Sequence, residues 1–376
     1  MMKGEKGKAW TLISVFCGFL ALMLVCFLVF PKAKMSKTER RVLAKQPEFT
    51  LDGILDGSFE EQTETYFADH FPFRRQFVSL EAHTRLYMGN NGAKGVYAGA
   101  DGYLIPVPIE VEEEVLSANL SALEEFLNGV SVPCDFLAIP GAGAVLTEKL
   151  PANHGIYLDR EILGRLQSEL GDSVTFTDVF EILRQADRQV FYKTDHHWTT
   201  GGAYLIYAEY LREIGMEPLP ETAFMVERHS GFYGTGYGKS GLWETEPDIL
   251  ELYRPPVDAS TEILEGAHKE SRKSGSMFFP EHLETGDMYS VFLDGNHSLT
   301  RVTNPEGKGK LLVLKDSFAH ALTPFLAQHF ERIDLVDLRY YAEPVSQLLA
   351  EEGYDRVLMV YSINSLCEAG GLVKLR

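Results

Sequence analysis

Hydrophobic residues are distributed in two different ways along the chain. From Ala9 to Phe30 no charged residue interrupts the apolar run, which is long enough for one helix to cross about 30 Å of hydrocarbon. A cleaved leader would carry a shorter apolar stretch and a small-x-small site after it, whereas Phe30-Pro31-Lys32 follows here. The segment therefore predicts an uncleaved anchor. Beyond it the apolar positions fall into short periodic stretches. Ser36 to Glu48 is polar and basic and reads as a juxtamembrane stalk or short helix, and Gly57 to Glu81 mixes acidic and aromatic residues around Asp69-His70-Phe71-Pro72-Phe73-Arg74-Arg75. Gly95 to Ile105 alternates apolar residues about a Gly-x-Asp-Gly turn, which predicts a hairpin.

Val111 to Gly129 places Val111, Val115, Leu116, Leu120, Leu123 and Leu127 on one helical face, and Gly129 ends it. Phe136 to Pro140 is a short apolar strand. Further helices are predicted at Arg160 to Gly171, Val179 to Ala186, Gly202 to Gly215, Phe318 to Phe330 and Pro344 to Glu351. Further strands are predicted at Val174 to Asp178, Val190 to Tyr192, Leu311 to Leu314, Ile333 to Leu338 and Arg356 to Tyr361, with Val291 to Leu293 strand-like. Helices alternating with apolar strands of about five residues predict an α/β fold whose parallel sheet is covered on both faces. Phe224 to Met288 is rich in Gly, Pro and charge without a sustained period, and reads as long loops or a small subdomain inserted at about 220–290. The expected layout is a tail over 1–8, the anchor over 9–30, a stalk and extension over 31–90, and a catalytic domain over 91–376.

Composition narrows the function. A formal net charge of −19 repels phosphate backbones, so nucleic acid is not an expected partner. Of four cysteines, Cys17 and Cys26 lie in the apolar run, leaving Cys134 and Cys367. That pair is neither a disulfide framework nor a zinc motif, and a single bridge between them stays open. Lys3, Lys6 and Lys8 precede the span while Lys32, Lys34, Lys37, Arg40 and Arg41 follow it, so flanking charge alone leans toward a cytoplasmic C-terminal side.

Two segments carry candidate chemistry. Tyr192-Lys193-Thr194-Asp195-His196-His197-Trp198-Thr199-Thr200 lies between a strand and a helix, where open α/β sheets gather their catalytic groups. His197 stands two positions after Asp195, so in an extended turn both side chains project to one side. The carboxylate would take the Nδ1 proton and leave Nε2 as a base. Trp198 would wall the ring. The plainer alternative is a helix start capped by Thr199 or Thr200 with solvated histidines beside it. In Leu311-Leu312-Val313-Leu314-Lys315-Asp316-Ser317-Phe318 a buried strand runs into a helix through Ser317, a turn that exposes a nucleophilic hydroxyl. There the alternative is an ordinary N-cap. Asn296 and Asn364, each after a predicted strand, are candidates for an oxyanion hole or for plain turns, and Arg339 and Tyr340 could line a sugar site.

At these residues the chain resembles the DHHW family of bacterial envelope proteins, whose name matches Asp195-His196-His197-Trp198. The likeness extends to Asp69 to Arg74, to the hairpin from Val96 to Ile105, to Gly295-Asn296-His297, to Lys315-Asp316-Ser317-Phe318 and to Asp337 to Tyr341. That family is similar in turn to the alginate O-acetyltransferases of the periplasm. The resemblance implies an SGNH-hydrolase-like three-layer sandwich after one transmembrane helix, in a permuted order with the Asp-x-His motif ahead of the nucleophile. It implies Ser317 as nucleophile, His197 as base and Asp195 as orienter, with no cofactor and no metal. It also implies an extracytoplasmic domain on a single-pass anchor, acting on cell-surface polysaccharide, with a membrane-bound O-acyltransferase as acyl donor. Lys315 replaces the glycine of Gly-Asp-Ser and the middle section is acidic and loop-rich, which together motivate an alternative: a catalytically inactive polysaccharide-binding or assembly factor. Metal hydrolysis through Asp195, His196 and His197 is disfavoured because adjacent strand residues point apart.

Overall fold

The computed structural model describes residues 2–39, 41–265 and 270–375. They divide into two compact units, one of residues up to Asn90 with Gly241–Trp243, the other of Asn91–Ser240 and Glu244–Arg376. In the first, a helix spans Met2–Val29, and its Gly7–Val29 portion is long and apolar enough to cross a membrane. Helices follow at Leu51–Leu55, Ser58–Asp69 and Arg74–Tyr87. The segment from Ser36 to Glu48 does not form the short helix considered above. Met35–Ser36 pairs with Arg41–Val42, because the Arg41 guanidinium and the Ala44 amide are both drawn to the Asp69 carboxylate. A distant anion overrides a weak local preference.

The second unit is built on an eight-stranded sheet. In chain order its strands are β1 (Cys134–Ile139), β2 (Thr175–Phe176), β3 (Ser260–Glu265), β4 (Glu270–Ser274), β5 (Leu299–Thr303), β6 (Lys310–Lys315), β7 (Arg332–Val336) and β8 (Arg356–Ser362). Across the sheet the order is β4-β3-β5-β7-β6-β8-β1-β2. From β7 to β2 all pairings are parallel. The β5, β3 and β4 ladders are antiparallel, so the sheet is mixed and only mostly parallel.

The apolar runs read from the sequence are explained by burial on both faces. In β6, Leu311 and Val313 enter one core with the helices Thr200–Glu213 and Ala319–Leu326. Leu312 and Leu314 enter the other, with Glu113–Gly129 and Asp159–Leu170. Because side chains alternate, a buried central strand needs both sets apolar. Cys134 and Cys367 are buried free thiols, with no bridge between them.

The stretch from Phe224 to Met288 departs most from expectation. It holds β3, β4 and a separate antiparallel pair, Met225–Phe232 with Asp248–Arg254. These strands carry polar residues on one face, as in β3 where only Thr261 and Ile263 are fully buried, so half-burial hides them from a search for continuous apolar runs. β5 went unread for the same reason. Val190 to Tyr192 contributes only a single bridge, Phe191 opposite Trp198. Val291 to Leu293 likewise contributes only a single bridge, Phe292 opposite Phe278, between a 3₁₀ turn over Met288–Val291 and the left-handed residues Leu293, Asp294 and Gly295, with φ of 59°, 63° and 85°.

Candidate active site

Four parallel strands deliver loops to one edge of the sheet. Ser317 follows β6, Arg339 follows β7, Asn364 follows β8 and Gly141 to Gly143 follow β1, and all of them line one cleft of about 200 Å³. This is the carboxyl edge, where open α/β sheets bind ligands.

Ser317 does not cap the helix it precedes. The helix begins at Ala319 without a side-chain cap, and the Asp316 Oδ1 accepts the Phe318 amide instead, at 3.0 Å. The other Asp316 oxygen accepts the Ser362 amide at 2.7 Å and the Ser365 hydroxyl at 2.8 Å. This carboxylate therefore fastens the Ser317 turn to the end of β8 and frees the Ser317 hydroxyl. Lys315, where a glycine was expected, is the last residue of an extended strand, so its backbone has no need of glycine's left-handed freedom.

The freed hydroxyl lies 2.7 Å from His197 Nε2, and His197 Nδ1 lies 2.5 Å from Asp195 Oδ1. A carboxylate can only accept, so Nδ1 carries the proton and Nε2 accepts from Ser317. Asp195 also accepts the His197 amide at 3.0 Å, the Thr235 amide at 2.7 Å and the Thr235 hydroxyl at 3.1 Å. The imidazole stacks on Tyr289, with centroids 4.0 Å apart and planes 11° apart, and Phe318 flanks it at 4.9 Å.

The loop that bears these residues is held by groups the sequence did not single out. Asp248 accepts the Lys193 amide, the Thr194 amide and the Thr194 hydroxyl at 2.7–2.9 Å. Gly234 passes so close that a Cβ there would lie 2.1 Å from that of Asp195, which is what lets Thr235 reach the carboxylate. Both come from the stretch expected to be loops. The glycines around Gly234, Gly231, Gly236, Gly238 and Gly241 among them, are a signal that an ordinary loop shares. Thr199 does cap the following helix, accepting the Gly202 amide at 3.0 Å, so capping and histidine placement coexist in one turn.

The other candidates separate. Asn364 and Arg339 line the cleft with Ser317, whereas Asn296 and Tyr340 do not. Trp198 is fully buried and is not among the residues that line the cleft. Its indole donates to the Phe318 carbonyl at 3.2 Å, tying the His197 loop to the helix after Ser317, while Tyr289 takes the place beside the imidazole expected for Trp198. Asn296 turns its oxygen to Lys315 Nζ at 3.3 Å and Arg339 Nη2 at 3.2 Å.

These two cations belong to a cluster beside Ser317 in which Lys315, His320 and Asp337 are buried while Arg339 and Asn296 are exposed. Arg339 grips Asp337 through Nε at 2.9 Å and Nη2 at 2.6 Å. Lys315 Nζ meets His320 Nε2 at 2.7 Å and Asp337 Oδ2 at 3.5 Å. Burial pulls the Lys315 ammonium down to about 8, and burial with the Lys315 charge drives His320 well below its usual value. Burial alone would raise Asp337, but Arg339 and Lys315 outweigh it and hold the carboxyl low.

Asp195, His196 and His197 present ligand-type atoms within 4.8 Å of one another. They fit a metal poorly, because both ring nitrogens of His197 are committed, one to Asp195 and one to Ser317. An ion would have to break that chain.

Residues 137–336 match the sequence model described as DHHW protein. The chain belongs to the DHHW family. A DHHW family protein from Eubacterium siraeum superposes with a TM-score of 0.66 at 21% identity, over 75% of this chain and 95% of that one. Bacillus cereus PatB1, solved with a sulfonyl adduct, gives 0.61 at 23% identity over 73% of this chain and 96% of its own. With these neighbours the DHHW chain has an SGNH-hydrolase-like fold. Among curated relatives, the Azotobacter vinelandii protein named probable alginate O-acetylase AlgJ is 23% identical over 61% of this chain and 62% of its own. The Pseudomonas fluorescens protein of the same name is 27% identical over 40% and 41%. The DHHW chain thus spans between two fifths and just over three fifths of the length of these relatives.

Proposed function

We propose that this protein moves acyl groups, acetyl foremost, onto or off cell-surface polysaccharide, with Ser317 as nucleophile, His197 as general base and Asp195 as the group that orients it. The observation that carries this reading is the unbroken chain Ser317–His197–Asp195, at 2.7 and 2.5 Å, ending at a cleft. His197 Nε2 takes the hydroxyl proton as Ser317 attacks the donor carbonyl, and the same proton returns to the leaving alcohol. The acyl-enzyme is then resolved by a sugar hydroxyl or by water. Asn364 and Arg339, polar groups of the same cleft, are the donors we assign to the carbonyl oxygen or to the acceptor sugar. The relatives named alginate O-acetylase point to acetyl as the group and polysaccharide as the acceptor. An N-terminal helix of membrane-spanning length fits an extracytoplasmic domain held at the bilayer, with a membrane-bound O-acyltransferase supplying the acyl group. The intact protein incubated with an acetyl ester should show a mass increment of one acetyl group on the peptide containing Ser317. An increment that maps elsewhere, or its persistence in Ser317→Ala, would overturn the assignment.

The inactive, polysaccharide-binding reading rested on the acidic, loop-rich middle section and on the absent glycine at position 315. It gains nothing from a Lys315 that occupies an ordinary strand position and leaves the Ser317 hydroxyl within reach of His197.

A further inference from the structure

The proposed reaction leaves one sequence motif without a task, Asp69-His70-Phe71-Pro72-Phe73-Arg74. Its polar members all work inward. Asp69 pairs with Arg41 through both oxygens and accepts the Ala44 amide at 2.8 Å, His70 Nε2 bonds the Ala44 carbonyl at 2.9 Å, and Arg74 pairs with Glu39. Together they fold the basic strap that follows the span back against the end of the helix Ser58–Asp69.

Its apolar members work outward. Phe71 and Phe73 are 41% and 47% exposed, and the adjoining Phe67 and Phe77 are 46% and 42% exposed. Phe73 sits at φ 58°, a backbone state that is unfavourable for a bulky residue and persists only where the surroundings impose it. That strained backbone holds an aromatic ring half in the open.

What covers these rings is indicated by where they sit. Phe67 stacks on Phe27 at 4.6 Å, and Phe73 meets Phe30 edge-on at 5.6 Å. Phe27 and Phe30 mark the C-terminal end of the apolar helix, so Phe67 and Phe73 sit beside the point where that helix ends, and Phe71, adjacent to Phe73, packs on Phe77 at 5.7 Å. Lys32 lies 3.5 Å over the Phe27 ring, and Lys34, Lys37 and Lys45 of the strap are exposed. Phenylalanines level with the acyl boundary, beside lysines level with the headgroups, are the composition of a surface that lies in a membrane interface. Among the described residues outside the apolar helix, eleven large apolar side chains are exposed between Phe49 and Met88, against six after Asn90, so this surface is the one that calls for an apolar solvent.

We infer that Phe67, Phe71, Phe73 and Phe77 enter the headgroup–acyl boundary of the bilayer that holds the Gly7–Val29 helix, making the Asp69–Arg74 motif a second, interfacial membrane contact. The inference is independent of the acyl-transfer reading. It is tested on the full chain in nanodiscs of phosphatidylethanolamine and phosphatidylglycerol, with p-benzoylphenylalanine placed singly at Phe67, Phe71, Phe73 or Phe77, and at Phe19 within the span as reference. After irradiation, peptide mass spectrometry should find lipid adducts at the four positions within about threefold of the Phe19 yield, as expected for rings at the acyl boundary. Adducts to another part of this chain or to a second copy in place of lipid, or no lipid adduct at Phe71 and Phe73 while Phe19 labels normally, would overturn it. Four separate positions keep the test valid if any single replacement misfolds.

Discussion

The Ser317 turn is flanked by two polar constructions that differ in how they end. On one side Asp195, His197 and Ser317 form a linear chain whose last hydroxyl opens into the cleft. On the other, Lys315, His320 and Asp337 close on one another, with Lys315 Nζ facing a ring nitrogen, a carboxylate and the amide oxygen of Asn296, while Arg339 reaches from Asp337 toward the cleft. An open chain can pass a proton to a substrate; a closed cluster of matched charges holds a turn in place at the cost of desolvation. The difference separates residues whose loss should remove turnover from residues whose loss should appear mainly in stability.

The largest effect is expected at the open end. Ser317→Ala should lower turnover of p-nitrophenyl acetate by about 10⁴-fold or more while leaving the unfolding midpoint unchanged; turnover close to wild type would break the comparison. Next, Asp195→Asn preserves shape but no longer enforces the Nδ1–H tautomer, and should lower kcat by about 10²- to 10⁴-fold. A drop confined to KM would show that the chain does not run through Asp195.

In the closed cluster the expected readout is stability against pH. The Lys315 proton is released at about 8 in the folded state, against 10.5 in its usual setting, because burial disfavours the charge. From pH 8 to 10.5 the unfolded chain therefore binds this proton more strongly than the folded one, so the contribution of Lys315 to stability rises with pH across that window and is lost as pH falls through 8. The unfolding free energy of wild type relative to Lys315→Met should accordingly shift toward wild type by up to about 3 kcal/mol over the window. Denaturant midpoints at both ends measure it, and a shift of opposite sign would reject the buried ammonium.

The smallest effect is expected at His196. Its Nδ1 lies 2.7 Å from the Thr235 hydroxyl, so it braces the residue that holds Asp195. His196→Ala should change kcat by no more than about threefold, since a side chain that does not take the reacting proton contributes none of the proton transfer. A hundredfold loss would place His196 in the open chain.

Much of this was legible because it is local. The apolar span, the buried strands β1, β6, β7 and β8, and the helices between them are written in periodicities of the chain itself. So is the Asp195–His197 contact, made across two residues of one turn. The tertiary structure decided what depends on distant approach. It set His197 against a serine 120 residues away, sorted Asn364 into the cleft and Asn296 into the closed cluster, and replaced Trp198 with Tyr289 beside the imidazole. It also recruited Thr235 and Asp248 from a stretch that reads as loops. Half-buried strands and a close-approach glycine such as Gly234 look like turn residues in sequence, because what makes them specific is the neighbour they touch. A chain's pattern fixes which face of an element is apolar; which polar atoms then meet is set only when those faces pack and leave each buried donor one acceptor within reach.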